Sequence, residues 1–298
     1  MREIVALLSV AACAAPGLVA CAASDPTAVI RAADVQRHVD FLASDELEGR
    51  WSRGPGALRA AEYVAEHFGR AGLAPFGDDG TWFQAVAPDL SPNVVGILRG
   101  TADEAVLVTA HYDHLEPLSG GADRIYNGAD DNASGTAAVL ELAEAFGALQ
   151  RAPEASLVCV AFTAEELGLQ GSKHFAANPP LPLERIRGVF NLDMVSRGDE
   201  RLIFCEGGPS SPRLVRAVQA ASAWVDLEVR YDEHPEWLGA SDHAPFLRAG
   251  VEALYFGVED HPDYHRVSDH ADRILPALTE RVAKLVLLAA LDVARDDL

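Results

Sequence analysis

The chain has 298 residues, 49% of them apolar and 23% charged, with a mean hydropathy of +0.05. That composition can bury a sizeable core and excludes a wholly disordered chain. Acidic residues outnumber basic ones 45 to 24, a formal charge of −21. The sign excludes a phosphate-neutralising nucleic-acid binder and disfavours an anionic membrane face.

In chain order, the first feature is an apolar run over residues 4–20, ending Leu18-Val19-Ala20-Cys21. It is short for a spanning helix and reads as a leader over 1–20. Its end resembles a lipoprotein processing site, cut before Cys21, which is then acylated. The alternative is a plain secretory signal with Cys21 incidental. Either reading implies export. The first places the protein on a membrane facing the periplasm or exterior, held only through a lipid anchor at Cys21; the second leaves it secreted. Residues 21–32 read as a tether and 33–298 as one domain.

Apolar residues at helical spacing predict helices over 33–43 and 56–72, with a polar Gly/Pro-rich loop between them. Apolar β-type runs follow at 93–100, 105–110, 156–162, 188–195, 201–207 and 251–257. Helical patterns at 135–149, 210–224 and 274–294 separate several of them; in the first, Val139, Leu142, Phe146 and Leu149 form one stripe. The alternation predicts an α/β chain with a mixed or largely parallel sheet. Cys159 and Cys205 fall in strand-like stretches, as free buried thiols or as a disulfide pair; spacing leaves both open.

Ligands of α/β sheets gather at the carboxyl ends of strands. Here those ends carry His111-Tyr112-Asp113-His114, Glu165-Glu166, Asp193 and Asp263-Tyr264-His265, and a Gly-rich turn with Asp130-Asp131-Asn132 opens a helix. Taken singly, His111 reads as a structural histidine, Glu165-Glu166 as a solvated helix start and the Asp doublet as an acidic turn. Together they supply what two zinc ions sharing a carboxylate need, about five His and carboxylate ligands: His111, Asp131, Glu166, Asp193 and His265. Glu165, left over beside a ligand, suits a general base toward an activated water. Asp113 is placed to hold the second ring N–H of His111. His114, His243 and Asp269 are supporting or structural, and Trp51 and Trp237 line a pocket or cover core. No H-E-x-x-H, G-x-S-x-G, P-loop or G-x-G-x-x-G is present.

The pieces AHYDH, NGADDNASG, FTAEELGLQGS, NLDMV, SDHAPF and DYHRVSD, in this order, resemble metallopeptidase family 28, the co-catalytic zinc aminopeptidases related to glutamate carboxypeptidase. The resemblance covers roughly residues 33–290. It implies a mixed, largely parallel central sheet flanked by helices on both faces. It implies one zinc on His111 and Asp193, the other on Glu166 and His265, and Asp131 bridging the two ions. It implies Glu165 as base and Tyr264 as an oxyanion donor. The implied activity is removal of N-terminal residues from peptide substrates. Alternatives are a carboxypeptidase or dipeptidase of the same family, a glutaminyl cyclase, or a binding protein on this fold. Cyclases resemble one another in having Trp where Tyr264 stands and an insertion after the Glu-Glu pair, whereas ELGLQGS is short here. A binding protein would have lost ligands that are all present.

Overall fold

In the computed structural model the described residues are 25–295. The predicted leader over 1–20, its cleavage point and Cys21 lie outside them. The expected tether is docked over its described part: Pro26–Val29 forms a helical turn and Ile30 is fully buried. The Arg31 and Ala32 N–H groups donate to Glu141 and Glu280. Backbone donors captured by side chains of later helices hold this stretch onto the body.

The strands are β1 (Ala74–Pro75), β2 (Phe83–Gln84), β3 (Asn93–Leu98), β4 (Ala105–His111), β5 (Ser156–Phe162), β6 (Ile186–Leu192), β7 (Leu202–Glu206), β8 (Glu228–Tyr231) and β9 (Ala253–Gly257). They form one sheet in the order β1-β3-β5-β4-β6-β9-β7-β8, with β2 also on β3. The centre, β5-β4-β6-β9, is parallel. Toward the edges β3 and β7 join antiparallel. The mixed sheet with a parallel centre matches the sequence expectation. Its central strands are near-continuous apolar runs because both faces are covered.

The helices are α1 (Ala32–Leu42), α2 (Pro55–Arg70), α3 (Gly135–Gly147), α4 (Gln170–Ala177), α5 (Pro212–Ser222), α6 (His243–Arg248) and α7 (Pro276–Val293). Alternate strand residues divide between two cores. Val106, Val108, Cys159 and Phe190 pack under α1, α2, α3, α5 and α7. Leu107, Val158, Val160 and Phe162 pack under α4 and α6. The period of two along each strand produces this split. Cys159 and Cys205 are buried free thiols, and burial pushes both thiols up.

The sequence missed the short elements, β1, β2, β8, α4 and α6. A two-residue strand has no measurable period, and α4 and α6 carry Gly171 and Pro245. It also ran β6 to residue 195, whereas pairing stops at Leu192 because Met194 turns the chain at φ +58°. Among the described residues no helix is long and apolar enough to cross a membrane.

Candidate active site

The parallel strands bring their carboxyl ends to one edge of the sheet, so the loops leaving β4, β5, β6 and β9 converge there. Two of the turns are sharp. Ala164, just before Glu165, has φ +53°, and Met194, just after Asp193, has φ +58°; His265 itself has φ +52°. Such conformations cost side chains energy and persist where surrounding contacts impose them. The contacts are visible. Asn132 Nδ2 donates to Leu192 O, and Met194 N donates to Asn132 Oδ1. Ser196 N donates to Asp130 Oδ1. The Asp130 and Asp131 N–H groups both donate to Asp269 Oδ2. The Asp131–Asn132 peptide is cis. At Gly128, φ is +57° and a Cβ would stand 2.6 Å from the His114 ring, so only glycine admits this approach.

The five residues expected to hold metal come together. His111 Nε2 lies 3.2 Å from Asp193 Oδ1 and 3.5 Å from Asp131 Oδ1. His265 Nε2 lies 3.1 Å from Asp131 Oδ2 and 3.4 Å from Glu166 Oε2. Zinc bonds of 2.0–2.2 Å in a tetrahedron imply donor pairs about 3.3–3.6 Å apart. These separations are close to that requirement. The donor atoms of His111, Asp131 and Asp193 lie within 4.8 Å of one another, as do those of His114, Asp131 and Glu166. Both sets could hold a metal ion.

The electrostatics agree with a site built for cations. Burial alone would lower the His111 pKa, but the charges of Asp193 and Glu165 hold it well above its usual value. Hydrogen bonds to Asp131 and Glu166 raise His265 to about 10. Burial, with Glu166 adding to it, pushes Asp131 up. Burial also pushes Glu165 well up, opposed by His111 and reinforced by Asp242 and Asp193. Carboxylates outnumber histidines in this buried cluster, an excess of negative charge that protons or cations can offset.

Asp113 is beside His111, but in a different way from the expectation. The Nδ1 of His111 lies 3.2 Å from the Asp113 backbone oxygen and 3.6 Å from the carboxylate. That carboxylate accepts from Glu165 N and Ser52 Oγ instead. It therefore also fixes the turn that carries Glu165. Tyr264 stacks on His265 with ring centroids 4.0 Å apart. Burial and the neighbouring carboxylates push its hydroxyl pKa up, so it keeps its proton.

Glu165, Tyr264 and the five ligand candidates line a cavity of about 570 Å³, a size suited to a small ligand or short peptide. Trp237 is in its wall and Trp51 is not. His243 is buried, and burial lowers its pKa to about 4, so it is neutral. His234 stacks on Trp237 at 3.9 Å.

Several residues hold the site together in roles that the sequence did not assign. Arg50 is fully buried behind the site and donates to the carbonyls of Leu42, Tyr112, Asn127 and Gly128. Asp263 accepts from Ser268, Arg197 and Arg273, pinning the loop of His265. Asp242 is buried near His111 and Glu165, and burial pushes its pKa up to about 7. The SDHAPF block was the only signal for Asp242. For Arg50 the signal was the FLASDELEGR segment that ends on it, which also resembles the family.

A model of peptidase family M28 matches residues 93–290. Aminopeptidase YwaD of Bacillus subtilis is 30% identical over 229 residues, covering 72% of this chain and 47% of that protein. Leupeptin-inactivating enzyme 1 of Streptomyces exfoliatus is 30% identical over 276 residues, covering 88% and 56%. The chain therefore spans about half the length of these curated relatives. Among solved structures, an aminopeptidase from Aneurinibacillus sp. strain AM-1 superposes with a TM-score of 0.73 at 19% identity, covering 90% of this chain and 95% of that one. A glutaminyl cyclase from Bacteroides thetaiotaomicron shares the fold with a TM-score of 0.69 at 20% identity, covering 88% and 98%.

Proposed function

Because the chain belongs to peptidase family M28, we propose that it is a dizinc metallo-exopeptidase, an aminopeptidase that removes N-terminal residues from peptides. The observation that carries this reading is the position of Asp131. Its Oδ1 faces His111 and its Oδ2 faces His265, so one carboxylate serves two donor sets. In this reading His111 and Asp193 hold one ion, Glu166 and His265 the other, and Asp131 lies between. Bound zinc would supply Lewis acidity toward the scissile carbonyl and toward water.

The remaining work falls to the chain's own groups. Glu165 takes the proton of the attacking water and passes it to the leaving amine. A carboxyl whose pKa is raised by burial is suited to holding a proton between those steps. The Tyr264 hydroxyl donates to the oxyanion, a contact of the kind worth about 2.7–4 kcal/mol. The acidic floor attracts the substrate's free α-ammonium. The leader over 1–20 supports export, with acylation of Cys21 as its membrane anchor; the mass of the mature N-terminus reads this.

The test is a mixed peptide library with free and N-acetylated termini, incubated with the zinc-loaded protein and followed by mass spectrometry with and without a chelator. Chelator-sensitive loss of single N-terminal residues from free peptides alone is the expected result. C-terminal trimming of the acetylated set would move the activity to carboxypeptidase. Loss of ammonia from N-terminal Gln without cleavage would make it a cyclase.

A further inference from the structure

The cavity is electrically two-sided. Its floor is acidic, with Asp131, Glu165, Glu166 and Asp193, while one wall presents two cations, Lys173 and Arg248. Both cations are exposed. Lys173 lies in α4, and its Nζ donates to Gly168 O at 2.9 Å, which sets the ammonium over the turn that carries Glu165 and Glu166. Arg248 is the last residue of α6.

The two helices are held side by side by aromatic packing. Phe175, two residues after Lys173, and Phe246, two before Arg248, have ring centroids 6.0 Å apart. Both rings also meet Phe162 of β5, at 5.7 and 6.3 Å. All three rings are fully buried. The two cations therefore rise from one rigid wall.

Among the described residues neither cation has a carboxylate partner, in a chain with 45 acidic residues and only 24 Lys and Arg. A cavity wall with two cations that lack carboxylate partners can take an anionic group of a ligand by charge-assisted contact. The acidic floor beside it takes the substrate's ammonium end.

We propose that Lys173 and Arg248 bind a carboxylate on the leaving-group side of the scissile bond. The preferred substrates are then short peptides whose free C-terminal carboxylate, or an acidic side chain, lies one or two residues beyond that bond. This rests on the aminopeptidase reading above.

The test compares kcat/KM for Leu-Gly against Leu-Gly-amide, and for Leu-Asp-amide against Leu-Asn-amide, in the zinc-loaded wild type and in Lys173→Gln, Arg248→Gln and the double variant. The first pair reads the C-terminal carboxylate and the second the acidic side chain. The wild type should favour the carboxylate member of at least one pair by roughly tenfold, the size of a charge-assisted contact. That ratio should fall with added salt and approach one in the double variant. A wild-type ratio near one in both pairs, or a ratio that survives the double substitution, overturns the proposal. If the amides are cleaved without any such preference, the carboxylate site alone is wrong. If no peptide is cleaved, the aminopeptidase reading fails, and calorimetric titration of the same peptides still decides the carboxylate site, which equal affinities for acid and amide would refute.

Discussion

His114 Nδ1 lies 2.7 Å from Glu166 Oε1, with the imidazole fully buried. The same nitrogen is 3.7 Å from Asp131 Oδ2. The geometry makes His114 the group that orients Glu166, whose other oxygen faces His265. Partners that orient ligands typically change metal affinity by about 10–100-fold when removed. His114→Gln should keep two zinc ions at saturating metal and release one of them at least tenfold more readily in a chelator competition. Complete loss of one ion at saturation would instead make His114 a ligand.

Glu165→Gln should keep wild-type zinc content and lose about 10²–10⁴-fold in kcat, the usual contribution of a positioned base. Asp131→Ala should lose metal as well as activity, because that carboxylate serves both donor sets. Elemental analysis beside turnover separates the two cases. Near wild-type turnover in Glu165→Gln would remove it from the base role, and full dizinc occupancy in Asp131→Ala would remove the shared-ligand role.

In the metal-free protein, hydrogen bonds to Asp131 and Glu166 raise the His265 pKa to about 10. Zinc must displace that proton, so affinity should rise with pH, about tenfold per unit for each proton released, until the histidine pKa is passed. Isothermal titration in buffers of different ionisation heat counts the protons. Chelation should also lower Tm at neutral pH, since it restores the repulsion among Asp131, Glu166 and Asp193.

Glu206, buried at the end of β7, accepts from the N–H groups of Glu233 and His234 and so anchors the segment that leads to Trp237. Burial raises its pKa above 4.5, with Asp232 adding to the shift and the two N–H donors opposing it. A raised folded-state pKa contributes stability below the unfolded value and loses it as pH rises through the folded value. Ionised Glu206 is therefore a cost at neutral pH. Glu206→Gln, which keeps an acceptor and cannot ionise, should gain in Tm over wild type as pH goes from 4 to 7. A constant Tm difference across that range would contradict the assignment.

Arg50→Met removes a buried guanidinium that serves four carbonyls. Each unpaired buried acceptor costs about 1–3 kcal/mol, so denaturant unfolding should show a loss of at least about 3 kcal/mol. Two of those carbonyls, of Asn127 and Gly128, precede Asp131, and zinc affinity should fall with stability. Arg50→Lys keeps the charge but not the fork geometry and should be intermediate.

The sequence by itself determined the α/β alternation and the set of polar residues that emerge where β4, β5, β6 and β9 end. Both follow from short-range rules. Short continuous apolar runs mark strands covered on both faces, and parallel strands place their carboxyl ends at one edge. Hence His111, Glu165, Glu166, Asp193 and His265 could be picked out near strand ends, while the choice of Asp131 over Asp130 and the role of each residue came from the resemblance to the family's motifs. Tertiary structure decided the direction of each side chain once the strand had ended. The left-handed turns at Ala164, Met194 and His265 are imposed by partners that lie far along the chain, such as Asp113 on the Glu165 turn and Asn132 on the Asp193 turn. For the same reason Asp113 turned out to brace Glu165 more than His111, and His114 to brace Glu166. Lys173 and Arg248, 75 positions apart in sequence, share a wall only because Phe175 and Phe246 meet over Phe162. Local patterning records which face a residue occupies. Its partner depends on long-range packing, which leaves no period in the sequence.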